Sequence, residues 1–290
     1  MLFRSLSDGE RSSLFYALLL KDLGCSSNAA RLAQLFQADD LLLKHVHKLT
    51  DWTDVGASAR YAFEYSKPGR SALARVLHVV SLGVFQRGSG EEMTATRCER
   101  GADIAARLSL DAATQGAIRA LDEHWDGSGM PRGLRGFQIP LLGRICSLSQ
   151  TVEVFHASYG LEAAINMAHA RSGAWFEPAL VEALDYIHHD QDFWALLDSA
   201  ESHVLVAALE PEDRWLYADE SRLDQVATAF AMVIDAKSPY TARHSEGVAR
   251  LAQSIAQAMG LAARDVMLLK RAGLLHDRSE EHTSELQSPI

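Results

Sequence analysis

Helical periodicity constrains this chain more than any other feature of its sequence. It is clearest in TARHSEGVARLAQSIAQAMG, residues 241–260, which predicts an amphipathic helix ended by Gly260. A second helix is predicted over Asp265–His276. The positions of the first helix that share its apolar face are His244, Val248, Leu251, Ala252, Ile255 and Met259.

The same periodicity runs through most of the chain. No stretch alternates with period two between hairpin turns, so the sequence predicts an all-α fold. Breakers at 66–69 (SKPG) and 87–90 (RGSG) predict loops. Further helices are predicted over Ser12–Leu23, Asn28–Phe36, Leu41–Leu49, Thr96–Leu108, Ala112–Leu121, Leu141–Phe155, Leu161–Ala170, Pro178–Ile187 and Asp190–Asp198.

Composition narrows the choice of partners and compartment. The 290 residues, 48% of them hydrophobic, suffice for one large or two modest cores. A net charge of -10 argues against a nucleic acid or an anionic membrane as main partner. No apolar run approaches the roughly 20 residues that span a bilayer, and no signal-peptide pattern opens the chain. The widely spaced Cys25, Cys98 and Cys146 predict reduced thiols in a cytoplasmic protein.

Three side chains near the end of the chain have the chemistry of metal ligands. His244 lies on the apolar face of its helix, and His276 and Asp277 end the next helix. Two antiparallel neighbours could bring them together, and His, His and Asp are accepted by divalent transition metals in hydrolytic sites. Each taken singly is more simply a core histidine or a chance dipeptide.

The combination resembles the HD-GYP branch of the HD phosphohydrolase superfamily. The matching segments are VIDAKSPYTARHSEGVARLAQSIAQAMGL and RAGLLHD. The resemblance implies that His244 is the first metal-ligand histidine and that His276 and Asp277 are the HD pair bridging two metals. It also implies a helical bundle, divalent iron or manganese as cofactor, and hydrolysis of cyclic di-GMP.

A second segment, LDEHWDGSGMPRGLRGFQIPLLGRICSLSQTVEVF over 121–155, is similar to the block around that family's Gly-Tyr-Pro motif. Its glycines permit a tight loop with exposed backbone N–H groups, which suits a phosphate-bearing ligand. A plain connection between helices is the alternative. The predicted ligand loop comprises Asp126, Gly127, Gly129 and Pro131, with Met130 where the family has tyrosine.

The metal ligands are mostly missing from this first copy. By resemblance, the HD pair falls on Lys21 and Asp22, so only the aspartate survives as a remnant. A lysine beside an aspartate repels a cation, so no metal is expected in the first copy. The other positions that depart from the family pattern are Cys25 for a lysine, the region of Arg97 for a lone histidine, Leu121 and Asp122 for paired histidines, and Gln150 for a late aspartate.

These features predict two units. Residues 1–205 form a degenerate HD-GYP-like domain that is incomplete at its N-terminus, 206–221 a linker, and 222–277 the first part of a second HD-GYP domain. Residues 278–290 are expected to be an artefact, because RSEEHTSELQS is what a common short-read sequencing adapter encodes. His244 stands 32 residues before His276, and the same spacing counted back from Lys21 places the equivalent helix before Met1, which is therefore expected to be an internal methionine.

The leading interpretation is a fragment of a bacterial signalling phosphohydrolase. The parent would hydrolyse cyclic di-GMP with a binuclear metal centre in the second copy, and the present chain would be inactive. Two alternatives remain open: a non-catalytic regulatory or ligand-binding HD module, and an HD phosphohydrolase of nucleotides. The expected partners are a cyclic dinucleotide and either a second copy or a sensor domain.

Overall fold

In the computed structural model, the described residues are 6–25, 49–50, 56, 60, 63–64, 71, 74, 89–211, 219–236 and 243–277. The predicted helices Asn28–Phe36 and Leu41–Leu49 (its last residue apart), the loop 66–69 and the tail 278–290 lie outside this set. Within it the chain forms eleven α-helices and no strand, so the predicted all-α class is confirmed. They are α1 Asp8–Leu20, α2 Ser89–Arg107, α3 Ala112–Arg119, α4 Leu141–Tyr159, α5 Leu161–Ala170, α6 Pro178–His188, α7 Gln191–Leu197, α8 Ser202–Ala208, α9 Glu220–Asp235, α10 His244–Ala258 and α11 Ala263–Leu275, with a short 3₁₀ helix at Gly136–Gln138.

Side-chain caps fix where the first helices begin. Ser7 and Glu10 form a capping box at α1, in which each side chain binds the other residue's backbone N–H. Asp111 caps α3 by accepting from the Thr114 N–H at 2.8 Å. The same carboxylate accepts from the Ser13 hydroxyl at 2.7 Å, so it joins α1 to α3.

Helices α1 to α8 make up the first unit, and α1 to α7 share its apolar core. Small residues such as Ala17, Ala102 and Ala117 are fully buried and let the helix axes approach closely. Larger side chains are also fully buried in this unit, and burying each contributes about 1.5–3 kcal/mol. The largest of them are Ile104, Ile118, Leu121, Ile139 and Leu180.

Helices α9 to α11 make up the second unit, whose core is small. Ala227 and Ala231 of α9 pack against Ala249 of α10 and Leu274 of α11. The predicted apolar face of α10 is not the face that packs: its large side chains, Leu251, Ile255 and Met259, are 65%, 59% and 70% exposed. The buried side of α10 carries Ser245, Ala249 and Ala256 instead, because the neighbouring helix approaches too closely for larger side chains.

Several predicted boundaries differ from the structure: α1 begins at Asp8 and not at Ser12, and α2 begins at Ser89 and not at Thr96. The loop predicted at 87–90 is shortened, because α2 already begins at Ser89. Within the predicted linker, α8 continues to Ala208 and α9 begins at Glu220, where Asp219 caps it by accepting from the Arg222 N–H at 2.8 Å. Helix α9 is not among the helices predicted from the sequence, since the polar stretch before it obscures its start.

The two units meet where α2 packs against α9. The Arg100 Nη2 donates to the Met232 carbonyl at 2.9 Å, and the Ser109 hydroxyl donates to the Gln225 amide oxygen at 3.4 Å. Among the helices of the described ranges, none combines the length and apolar character that a membrane span requires.

Candidate metal centre

The three predicted ligands of the second unit lie together. His244 begins α10, and His276 and Asp277 follow the last residue of α11. The two imidazole Nε2 atoms are 3.3 Å apart. The Asp277 carboxylate lies 2.9 Å from the His276 Nε2 and 3.7 Å from the His244 Nε2. The structure therefore brings together all three residues that the sequence singled out.

A close crossing of α10 and α11 creates this convergence. At Gly273 an added Cβ would stand 2.7 Å from the Ala249 Cα, so only glycine fits. Gly273 lies about one turn before the HD pair, and Ala249 lies about one turn and a half after His244. Because the helices run antiparallel, this contact sets the separation of the ligands at their adjoining ends.

The orientation of the His276 ring is set by its second nitrogen. Nδ1 lies 2.9 Å from the Gly273 carbonyl oxygen, which can only accept, so Nδ1 carries the proton. The Nε2 atom then faces His244 and Asp277. A backbone carbonyl on the far nitrogen is the usual partner of a metal-ligating histidine.

A buried carboxylate positions the other histidine. Asp235, at the end of α9, is 5% exposed and accepts from the Ser245 hydroxyl at 2.6 Å. Both carboxylate oxygens also receive the Ser245 backbone N–H, at 3.3 and 3.4 Å. Ser245 follows His244 directly, so α9 fixes the first turn of α10. The preceding Arg243 has φ 65°, a left-handed conformation that costs free energy in a non-glycine residue.

The donor set fits a divalent transition metal. Two imidazole nitrogens and a carboxylate oxygen lie within 4.8 Å of one another and are partly accessible to solvent. In the part of the chain that the structure describes, no other group of three histidine, cysteine or acidic residues meets this geometry. Imidazole and carboxylate suit zinc, iron and manganese.

The first unit has a different cluster at the positions where the family would have ligands. Lys21 is ion-paired with Asp22, and Arg97 is ion-paired with Asp122. Cys25 donates to Asp22 at 3.4 Å, and Cys98 lies 3.7 Å from the Asp122 carboxylate. We call Lys21, Asp22, Arg97 and Asp122 the first-unit charge cluster. The predicted remnant ligand, Asp22, thus already has a cationic partner.

Titration behaviour sharpens this difference. Burial disfavours the charge on Arg97, but the acidic groups around it, among them those of Cys25, Cys98 and Asp22, outweigh burial and raise the pKa of Arg97. Burial also raises the pKa of the Cys98 thiol, and it raises that of Cys146 to about 12. Arg97 therefore stays charged, while these two thiols stay neutral.

The predicted ligand loop folds tightly on itself. The buried Glu123 carboxylate accepts from the backbone N–H groups of Arg132 and Leu134, both at 2.8 Å. The Met130 N–H donates to the Asp122 carbonyl, and the Ser128 N–H donates to the Asp126 carboxylate. A Cβ on Gly129 would stand 2.1 Å from the His124 backbone nitrogen.

This use of backbone donors changes how the loop could bind a ligand. Several N–H groups that the sequence assigned to a phosphate are occupied within the loop, including that of Gly127, which donates to the His124 carbonyl. Of the side chains that could meet a phosphate here, Arg132 and Arg135 are exposed. The ligand loop of Asp126, Gly127, Gly129, Met130 and Pro131 stays a prediction.

Comparison with known proteins settles the family. The HD domain family matches residues 89–180, and a second HD domain match covers residues 241–288. The 3'3'-cGAMP-specific phosphodiesterase 3 of Vibrio cholerae serotype O1 is 39% identical over 272 residues, or 94% of this chain. The chain belongs to the HD superfamily. The HD assignment made from the sequence is thereby confirmed, with a separate match in each unit.

Further similarities support the same HD assignment. The 3'3'-cGAMP-specific phosphodiesterase 1 of the same organism is 32% identical over 118 residues, 39% of this chain and 27% of that protein. The crystal structure of a cyclic GMP-AMP-specific phosphodiesterase of V. cholerae superposes with a TM-score of 0.66 at 35% identity, covering 95% of this chain and 62% of that one. The chain spans 59% of the length of phosphodiesterase 3.

The group of His244, His276 and Asp277 is called the HD site below. The sequence did not indicate the roles of two residues that support it. Asp235 belongs to the quoted VIDAKSPYT segment, but its hydrogen bonds to Ser245 could not be read from spacing. Gly273 carried a visible signal, a glycine inside a helix, where it costs about 1 kcal/mol relative to alanine. Its reason is the close contact with Ala249.

Proposed function

We propose that this chain is part of a cyclic dinucleotide phosphodiesterase whose second HD unit contributes metal ligands. The observation that carries the proposal is the convergence of His244, His276 and Asp277. The similarity to 3'3'-cGAMP-specific phosphodiesterases over 94% of the chain supports it.

The substrate follows from that similarity. The sequence alone led us to expect cyclic di-GMP, whereas the relative and the similar crystal structure are named for cyclic GMP-AMP. Both compounds contain phosphodiester bonds between two nucleotides, so the same hydrolysis applies to either. We place 3'3'-cGAMP ahead of cyclic di-GMP as the substrate of the whole protein.

The residues of the HD site would hold divalent iron or manganese. When bound, such an ion supplies Lewis-acid stabilisation of charge on the phosphoryl oxygens. His276 contributes its Nε2 lone pair because the Gly273 carbonyl holds the proton on Nδ1. Two neutral imidazoles and one carboxylate leave a divalent ion with net positive charge, which favours an anionic phosphodiester.

We propose that the first unit holds no metal and serves as a packing partner. Lys21 and Arg97 place positive charge beside both carboxylates of the first-unit charge cluster. A cation approaching Asp22 or Asp122 would have to displace an ammonium or a guanidinium and then meet its repulsion.

Binding of Mn²⁺ to the whole chain, followed by calorimetry, tests the proposed site. We expect His276→Ala to weaken binding by more than about 100-fold, since even outer-shell partners of a metal cost about 10- to 100-fold. His169→Ala is the matched control, because that exposed histidine pairs only with Asp185 among the contacts described for it. Equal Mn²⁺ affinity in the parent chain and His276→Ala would contradict the site.

The same proteins are then incubated with 3'3'-cGAMP and with cyclic di-GMP in the presence of Mn²⁺ or Fe²⁺. We expect no hydrolysis by this chain, because three ligands are fewer than a binuclear centre uses. Hydrolysis that His276→Ala abolishes would contradict the expected inactivity while supporting the metal site.

A further inference from the structure

An arginine of the first unit donates a hydrogen bond to the C-terminal turn of α9. The Arg100 Nη2 donates to the Met232 carbonyl at 2.9 Å, and Met232 lies in the last turn of a helix that ends at Asp235. The last carbonyls of a helix have no partner within it and carry the negative end of its dipole. Arg100 therefore caps α9 from outside its own unit.

The guanidinium of Arg100 is committed to this contact. Its Nε is buried with no hydrogen-bond partner among the described residues. A donor withdrawn from water in this way costs free energy, so the side chain is held by packing rather than by a chance surface encounter. Further along the α2–α9 contact, Ser109 donates to Gln225.

The same turn of α9 also accepts hydrogen bonds from the residue that follows His244. Asp235, the last residue of α9, accepts the hydroxyl and the N–H of Ser245. Ser245 adjoins His244, whose Nε2 faces that of His276 at 3.3 Å. Met232 and Asp235 are three positions apart in α9, so less than one helical turn separates the acceptor of Arg100 from the residue that holds Ser245 beside His244.

Helix α2 is itself fixed by the first-unit charge cluster. Arg97 lies about one turn before Arg100 and is ion-paired with Asp122. One turn of α2 therefore links the first-unit charge cluster to Arg100, which contacts the last turn of α9.

We propose that Arg100 is a positioning residue for the HD metal centre. It holds the last turn of α9 so that Asp235 can fix Ser245 and thereby His244. The first unit carries Lys21 and Arg97 where the family has metal ligands. Even so, it sets the geometry of the ligands in the second unit. This inference rests on the proposed function, because it concerns the affinity of the proposed site.

A purely adhesive role of Arg100 predicts a different result. If Arg100 only joined the two units, its removal would change stability but leave the site intact. If it acts through Asp235, its effect on metal affinity must disappear once Asp235 can no longer hold Ser245. A double-mutant cycle separates the two roles.

The experiment measures the Kd of Mn²⁺ for the whole chain and its variants. Loss of an outer-shell partner typically weakens metal binding about 10- to 100-fold, and we expect about tenfold for Arg100→Met because it acts at one remove. Arg100→Lys keeps a cationic donor and should recover part of the loss. Arg119→Met is the control, since Arg119 is ion-paired with Glu99 within the first unit.

In an Asp235→Ala background, which removes the acceptor of the Ser245 hydrogen bonds, Arg100→Met should leave the Kd unchanged. An unaltered Kd for Arg100→Met in the parent background, or equal losses in both backgrounds, would overturn the proposal. Hydrogen exchange in the metal-free protein gives a second readout that does not depend on the proposed function. Arg100→Met should accelerate exchange of the Ser245 amide, and unchanged exchange would also overturn it.

Discussion

The two HD units place different charges at positions that the family motifs make equivalent. In the second unit, the imidazoles of His244 and His276 converge with the carboxylate of Asp277. In the first, the Lys21 amino group and the Arg97 guanidinium are each paired with an aspartate. Exchanging imidazole for ammonium or guanidinium replaces an ion-binding site with internal ion pairs.

The units also differ in how they bury apolar surface. The first unit encloses large side chains such as Ile118 and Leu180. The second relies on a few small residues at a close helix crossing, while Leu251 and Ile255 face outward. A unit whose helices pack through small residues depends more on a short distance between the helix axes than on the volume of its buried apolar side chains.

The largest expected effect tests the ion pairs of the first unit. Arg97→Met leaves Asp122 in its largely buried position without a cation, and breaking a buried pair costs about 3–5 kcal/mol. We expect the free energy of unfolding of the first unit to fall by about 3 kcal/mol in urea titrations. Arg119→Met, which breaks a more exposed pair, should cost less than about 1 kcal/mol. Similar losses for both variants would remove the contrast between the units.

The next effect tests the close crossing of the second unit. In Gly273→Val the new side chain must displace the Ala249 backbone, and overpacking of this kind costs about 1–3 kcal/mol. We also expect weaker Mn²⁺ binding, because the same contact sets the ligand separation. Gly247→Ala on α10 meets open space and should stabilise the helix by about 0.5–1 kcal/mol. A stable Gly273→Val variant with unchanged Mn²⁺ binding would show that the crossing does not position the ligands.

The smallest effect concerns an ion pair inside the second unit. Partial burial would raise the pKa of Asp224, but hydrogen bonds from Lys270 and Arg271 outweigh it and lower that pKa below its ordinary 3.8. A depressed folded-state pKa adds stability that is present above the ordinary value and is lost as the pH falls through the folded-state value. Because the group is partly exposed, we expect only about 0.5 kcal/mol.

Urea unfolding of the parent chain and Asp224→Asn checks this sign. The stability difference between them should be constant from pH 7 to pH 5 and should shrink below about pH 4. Asp265→Asn, in the exposed first turn of α11, is the matched carboxylate control. A difference that grows as the pH falls would contradict the assignment.

The sequence predicted the grouping of His244, His276 and Asp277 better than the contacts that support it. The family motif that they resemble places them at the adjoining ends of two helices that are adjacent in the chain, and the structure brings the three side chains together. The pairing of Arg97 with Asp122 joins residues of separate segments, and no local pattern reveals it. The packing face of α10 was misread because periodicity assigns large apolar side chains to the interior, whereas Gly273 admits only small ones there.

Besides the outward-facing leucine, isoleucine and methionine of α10, Leu268 and Leu269 of α11 are 49% and 40% exposed. Leaving these apolar side chains in water costs roughly 25 cal/mol for each Å² of surface that could be covered. We therefore expect the purified protein to cover these side chains, either by reversible self-association at high concentration or by binding detergent. Its behaviour on a sizing column will then report on concentration as much as on sequence.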